Sequence, residues 1–309
     1  MQHMLDRKRL SGVWSATPTP LDEGLALDLD SVPRLVEHHL RLGVRGLFLG
    51  GTCGEGAWLR RGDLSRLVRE TAAAAAGRLV LAVQITDNST GRMLDNAEQA
   101  AADGADIAVI APPYFLLNAT AENVRHLYLE TVRRSPLPVG IYDRGSGGSV
   151  PVSSAVLEAV YAEPAVVLVK DSSMDPERRD LALQARQRRP ELRLLTGYEF
   201  DVVTYLAHGY DGALLGGGIF NGRLANLILD ACGRGDLAAA QALQQRMNTL
   251  MYDVYGGEKI TCWLSGLKQM LVRLGVFRTH RNLLNYPLTE SCLQAIEAAL
   301  VREREVLLP

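Results

Sequence analysis

The chain has 309 residues, 47% of them apolar, and a formal charge of −2. That length and apolar content allow a sizeable core, as one large domain or two small ones. The near-neutral balance argues against a dedicated nucleic-acid or membrane-surface binder, and the lack of a run of 18 apolar residues argues against a transmembrane helix.

In chain order, residues 1–10 are charged and lack an apolar core, so no secretory signal is read there. Short β-rich runs then alternate with longer amphipathic stretches at intervals of roughly 25–35 residues, the spacing of βα units. The spacing predicts strands over 12–16, 46–50, 79–85, 107–111, 139–142, 166–170, 193–196 and 212–215. Between them, 29–42 carries Val32, Leu35, Val36, His39 and Leu40 at helical spacing, and 63–76 places Leu64, Leu67, Val68 and Thr71 on one face. A third helix is predicted over 90–102, after the capping signal Asn88-Ser89-Thr90. Gly43, Gly104 and Gly209 stand at helix–strand junctions, where a left-handed residue closes a helix. From Leu224 onward only helical patterns remain, over 224–232, 237–252, 262–274 and 290–305.

Eight βα units in about 220 residues predict an α/β fold, a TIM (β/α)8 barrel with a C-terminal helical appendage. The expected division is a barrel with a short N-terminal extension over 1–232 and a helical region packed on it over 233–309. The alternative is a doubly wound open sheet, which a G-x-G-x-x-G after the first strand would favour; none is present.

Lys170 closes the apolar run Val166-Val167-Leu168-Val169 in a chain with only four lysines and 29 arginines. Arginine keeps its proton at working pH, but a desolvated lysine can lose it. A neutral amine at a rigid strand end attacks carbonyls to form a Schiff base, and the competing reading is a lysine that snorkels into water. Tyr142 ends the preceding strand, about 5 Å away in a barrel. A phenol there suits carbinolamine dehydration and proton transfer, against the alternative of an aromatic packed on the rim. In the loop 50–55, Gly51 and Thr52 offer backbone N–H groups and a hydroxyl to a carboxylate, as in a 2-oxo acid; a plain tight turn is the alternative.

The Cys53 thiol has no strand-end histidine to activate it. Gly216-Gly217-Gly218 after the last strand fits either a phosphate site or open room beside the Schiff base, and the second reading is preferred. Glu199 reads as an acid, a base or a helix N-terminal carboxylate. No histidine or carboxylate spacing fits a metal, so neither metal nor cofactor is expected. The four cysteines, Cys53, Cys232, Cys262 and Cys292, form no C-x-x-C pair and suit a reducing, cytoplasmic setting.

Taken together, these motifs resemble the dihydrodipicolinate synthase / N-acetylneuraminate lyase family of class I aldolases. The resemblance runs from about Gly12 to Leu274. It is carried by Thr17-Pro18-Thr19-Pro20-Leu21, Gly51-Thr52-Cys53-Gly54-Glu55, Asn88-Ser89-Thr90, Pro113-Tyr114-Phe115, Tyr142, Val169-Lys170-Asp171-Ser172 and Gly209-Tyr210-Asp211-Gly212. It implies that Lys170 is the Schiff-base lysine and Tyr142 the proton-transferring tyrosine. It implies that Thr52 and Cys53 hold the substrate carboxylate and relay protons, and that Leu214 offers a backbone carbonyl. It also implies a homotetramer or homodimer, with Tyr114-Phe115 at a subunit contact.

The chain departs from true dihydrodipicolinate synthases after Tyr142. Their N-x-P-x-R-T becomes Asp143-Arg144-Gly145-Ser146-Gly147-Gly148, with Gly147 at the arginine position and Arg144 as the nearest substitute. Phe115 removes a tyrosine hydroxyl, and Cys53 replaces a threonine. The expected activity is therefore a Schiff-base lyase acting on pyruvate or a 2-oxo-3-deoxy acid, distinct from a true dihydrodipicolinate synthase. Substrate binding falls to Gly51, Thr52, Cys53, Leu214, Arg144 and Gly216. The alternatives are a 2-oxo-3-deoxy sugar acid dehydratase using the same imine, or a catalytically silent barrel that binds a 2-oxo acid.

Overall fold

The structure is a computed structural model that describes residues 7–309. The first six residues, part of the segment expected to carry no signal, lie outside the described residues. Eight parallel strands close into a barrel in chain order: β1 (Gly12–Ala16), β2 (Gly46–Leu49), β3 (Val80–Gln84), β4 (Ile107–Ile110), β5 (Val139–Asp143), β6 (Val166–Asp171), β7 (Arg193–Thr196) and β8 (Gly212–Leu215). Helices α1 (Val32–Arg41), α2 (Arg61–Ala75), α3 (Thr90–Ala102), α4 (Ala121–Arg134), α5 (Ser154–Tyr161), α6 (Pro176–Arg188), α7 (Val202–Ala207) and α8 (Gly218–Gly233) follow the strands in turn. The appendage is α9 (Leu237–Tyr255), α10 (Trp263–Arg273), α11 (Glu290–Arg302) and α12 (Arg304–Leu307). This is a TIM barrel with a C-terminal helical appendage, in which α9 packs on α8 while α10 and α11 pack on α9.

The strands are buried on both faces, as an all-parallel barrel requires. Trp14, Phe48, Val80, Ala82, Ile107, Val109, Leu168, Leu195 and Leu214 fill the interior. Their neighbours Val13, Leu47, Leu81, Ala108, Ile141, Val169, Leu194 and Leu215 pack outward against the helices. That alternation is the period-two signature of a strand. Helix entry follows the expected chemistry: the Ser89 hydroxyl accepts the Arg92 N–H, and Thr120 with Asn123 forms a capping box on α4. Gly43, Gly104 and Gly209 all adopt positive φ, at 75°, 96° and 98°.

Several boundaries differ from expectation for identifiable reasons. β5 and β6 each run one residue further, to Asp143 and Asp171, which pair in register. Both carboxylates are buried, and Asp171 accepts the Tyr210 O–H at 2.6 Å and the Ser173 O–H at 2.7 Å. Polar residues therefore continue a sheet here because their partners are built in. The helix expected over 290–305 breaks at Glu303, whose buried carboxylate accepts from Arg246 and Arg302. The helix expected over 224–232 starts earlier, at Gly218, directly behind the barrel mouth.

The α1–α8 contact stores a pH dependence. His38 and His39 are fully buried, with Nε2 of His38 on the Ile219 carbonyl and Nδ1 of His39 on the Leu35 carbonyl. Burial pushes their pKa values down to about 4 and about 3. The folded values lie below the unfolded value, so this stability is whole above pH 6.5 and is lost as pH falls towards 4. The loss is of order 3 kcal/mol per histidine by pH 4. Urea midpoints should fall more steeply between pH 6.5 and 4.5 in the wild type than in a His39→Phe variant; equal slopes would contradict this account.

Candidate active site

Lys170 and Tyr142 stand opposite one another in the β5–β6 register. The lysine Nζ lies 4.0 Å from the Tyr142 ring centroid and 5.2 Å from that of Phe48, and the Phe48 ring meets Tyr142 edge-on at 5.9 Å. Lys170 is 6% exposed, so the snorkelling alternative does not describe it. Its path is kept open by the absence of a side chain at Gly197, where a Cβ would come within 2.9 Å of Lys170 Cε and 2.0 Å of Ser172 Oγ.

A second lysine sharpens the comparison. Lys268 on α10 is completely buried, but its ammonium is paired with the Glu55 carboxylate and donates to the Arg281 carbonyl at 2.8 Å. Among the described residues, no such ion pair involves Lys170; aromatic faces surround it instead. An amine committed to a carboxylate is structural, whereas one held against aromatic faces has no fixed hydrogen-bond partner to give up when a substrate arrives.

Burial raises the Tyr142 pKa, but the Lys170 and Arg144 charges and a hydrogen bond with Thr52 outweigh it. The phenol ends below the usual tyrosine value. Thr52 is thereby joined to Tyr142, and the Arg144 guanidinium sits 6.0 Å from the same ring. Gly51 lies over Phe48, where a Cβ would come within 2.6 Å of the ring. The loop is anchored from below: the Thr19 hydroxyl donates to the Gly54 carbonyl at 2.6 Å, and the Glu55 carboxylate accepts from Lys268 and from the Leu283 N–H. Cys53 is buried, and burial pushes its thiol up to about 12, so it holds no thiolate. Leu214 is 1% exposed, with its side chain inside the barrel.

Beyond β7, the Glu199 carboxylate accepts the Gly217 N–H at 2.7 Å and the Tyr255 O–H at 3.0 Å. The protein's own carboxylate thus occupies the anion-binding N–H of the glycine run, which disfavours the phosphate reading. A Cβ on Gly216 would lie 3.1 Å from Cys53 Sγ and 3.3 Å from Glu199 Oε1, so its absence keeps this wall open. The structure therefore gathers Lys170, Tyr142, Thr52, Cys53, Arg144 and Gly216 at one mouth, with Gly51 and Leu214 as parts of its floor and wall.

Sequence reasoning missed Phe48, Lys268 and Tyr255. Lys268 carried the signal that singled out Lys170, a lysine within an apolar pattern, here the helix expected over 262–274. Phe48 and Tyr255 carried none, because both read as ordinary core aromatics.

A closed barrel with a buried lysine and a phenol on neighbouring strand ends has the architecture of a lysine Schiff-base lyase, a class I aldolase. The chain belongs to the Dihydrodipicolinate synthetase family, which it matches over residues 9–302. It is 26% identical over 281 residues to the N-acetylneuraminate lyase of Enterobacter sp. (strain 638), covering 90% of this chain and 87% of that protein. It is 27% identical to the N-acetylneuraminate lyase of Citrobacter koseri over the same shares. Among solved structures, the dihydrodipicolinate synthase of Bacteroides thetaiotaomicron matches with a TM-score of 0.85 and 27% identity, covering 95% of this chain and 98% of that one. The Thermotoga maritima enzyme of the same name shares the fold, with a TM-score of 0.86 at 23% identity over 97% and 100% of the chains.

Proposed function

We propose that this lyase acts on pyruvate or a 2-oxo-3-deoxy acid through an imine on Lys170. The observation that carries the reading is the Lys170 Nζ 4.0 Å from the Tyr142 ring centroid, buried and with no ion pair among the described residues. The neutral amine attacks C2 of the 2-oxo acid, and the carbinolamine loses water with a proton from Tyr142. The protonated imine is then the electron sink for making or breaking the C3–C4 bond, so the chemistry invokes no cofactor or metal. The N–H groups of Gly51, Thr52 and Cys53 receive the substrate carboxylate, and Thr52 passes protons to and from Tyr142. Leu214 contributes its carbonyl, Arg144 faces the far end of the substrate, and Gly216 leaves it room.

The segment after Tyr142 favours a substrate other than that of a true dihydrodipicolinate synthase, because Gly147 stands where those enzymes carry an arginine. The N-acetylneuraminate lyase relatives support a sugar-derived 2-oxo acid. Incubation with pyruvate and borohydride should add the mass of a reduced pyruvate adduct at Lys170. No adduct with pyruvate or a panel of 2-oxo acids would sink the reading, and product analysis separates an aldolase from a dehydratase using the same imine. Tyr142→Phe should keep the adduct but slow exchange of the pyruvate methyl protons in D2O by about 10²–10³-fold; exchange at the wild-type rate would remove the tyrosine from the mechanism.

The wider setting belongs to the same proposal. The barrel with a short N-terminal extension takes 1–232 and the helical region 233–309, and the protein works as a homotetramer or homodimer in the cytoplasm. Exposed Tyr114, Phe115 and Leu117 after β4 support a subunit contact, and the Asn88 side chain fixes that loop by accepting the Phe115 N–H at 2.8 Å. Four free cysteines support a reducing compartment, and no helix among the described residues is long and apolar enough to cross a membrane.

A further inference from the structure

We propose that Arg178 on α6 is a positioning residue for substrate recognition: it clamps both feet of the connection between β5 and α5, residues 144–153, and so fixes Arg144 at the barrel mouth. This rests on the Lys170 imine and on Arg144 facing the far end of the substrate. It adds a residue that acts from outside the pocket.

The connection needs a clamp because little else orders it. Its middle is Gly145-Ser146-Gly147-Gly148-Ser149, of which Ser146, Gly147 and Ser149 are exposed. Glycine and serine bury no apolar surface to offset the entropy of a fixed backbone. Arg144 is the one charged side chain of the connection. Its guanidinium stands 6.0 Å from the centroid of the Tyr142 ring, the ring that also meets Lys170 Nζ. Where that charge stands therefore depends on how the backbone after it is held.

The backbone is held at both ends and in between. At the first foot, the Asp143 carboxylate accepts the Gly145 N–H at 2.9 Å, and Arg178 Nη1 lies 3.6 Å from its other oxygen. At the second foot, Nη2 of the same guanidinium donates to the Val152 carbonyl. A planar fork suits this double reach better than a point charge does. Between the feet, Gly145 lies directly on Ser173 at a φ of 53°, and a Cβ there would come within 2.9 Å of the Ser173 Cα and carbonyl oxygen. Ser173 is itself pinned by the Asp171 carboxylate, which accepts its N–H at 2.9 Å and its O–H at 2.7 Å. The groups facing Asp143 are Arg178 and Asp175 from α6 and its N-cap, Asp171 from β6, Tyr128 from α4 and Tyr161 from α5. Burial raises the Asp143 pKa, and the Gly145 N–H and Arg178 pull against it. The guanidinium thus supplies the positive charge beside a buried carboxylate and ties that carboxylate to the far foot.

The test reads imine formation with a matched pair of acids, 2-oxoglutarate and 2-oxopentanoate, which carry a carboxylate and a methyl group at carbon 5. The concentration giving half-maximal borohydride labelling of Lys170 is measured for each, and for pyruvate. Wild type should label at a lower concentration of 2-oxoglutarate than of 2-oxopentanoate. Arg178→Met and Arg144→Met should each raise the 2-oxoglutarate value by about 10–50-fold. Arg144→Met/Arg178→Met should be no worse than Arg144→Met, because Arg178 acts through Arg144. Pyruvate and 2-oxopentanoate should label Arg178→Met within about twofold of wild type, and Arg178→Lys should recover part of the 2-oxoglutarate loss. Arg178→Met leaves Asp143 buried without its cation. Asp143→Asn/Arg178→Met removes that charge, keeps an acceptor for the Gly145 N–H, and should show the same rise. Losses that add in Arg144→Met/Arg178→Met, equal weakening of labelling by all three acids, wild-type 2-oxoglutarate labelling in the Arg178 variants, or a wild type with no preference for 2-oxoglutarate would each overturn the proposal. A wild type that pyruvate does not label removes the imine reading itself, which is a separate outcome.

Discussion

Lys170→Met should eliminate borohydride-dependent labelling by pyruvate and lower turnover by on the order of 10⁴–10⁶-fold, while leaving the melting temperature unchanged or higher. The loss is large because the imine is the electron sink, and no other group in the pocket replaces it. The gain in stability follows from the same burial that makes Lys170 useful. An amine 6% exposed and, among the described residues, without an ion pair is desolvated at a cost, and methionine fills similar volume without it. A residue kept against stability is the mark of a functional site. Labelling that persists in Lys170→Met and maps to Lys268 would reassign the nucleophile.

The opposite balance is expected at the other buried lysine. Lys268→Met leaves the Glu55 carboxylate buried and unpaired and should cost about 3–5 kcal/mol. Glu55→Gln should cost a similar amount, because Lys268 is then the uncompensated charge. The double variant Glu55→Gln/Lys268→Met should recover most of the loss, since glutamine still accepts the Leu283 N–H and no buried charge remains. Denaturant titration of the four proteins measures the coupling; a single variant costing less than about 1 kcal/mol would show that the pair is not structural. The pair also ties the appendage to the loop bearing Thr52 and Cys53. Each single variant should therefore raise KM for a 2-oxo acid more than it lowers kcat.

The two lysines show how far a sequence reading reaches. Both interrupt apolar patterns, and only the position of Lys170 at the end of a predicted strand pointed to chemistry. The structure sets Lys170 beside Tyr142 because strand ends in a barrel converge on one mouth and consecutive strands pair. Tyr142 beside Lys170 followed from local order alone. The phosphate reading of Gly216-Gly217-Gly218 lost ground because Glu199, 18 residues earlier, fills the N–H that the glycines expose. Asp143 and Asp171 read as loop because polarity is the local signal for a strand end. Their partners Arg178, Tyr210 and Ser173 are what allow the sheet to continue through them.

By itself, then, the sequence determined the barrel, the order of its strands and the pairing of Lys170 with Tyr142. All three rest on short-range periodicity, caps and chain order. Only the tertiary structure decided which buried lysine meets a carboxylate and which meets aromatic faces, and what stands across the mouth from Lys170. Glu199 meets Tyr255 across 56 residues, and Glu55 meets Lys268 across 213. Contacts at such separations leave no periodic trace, because they exist only once the barrel has closed and α9 and α10 have docked against it.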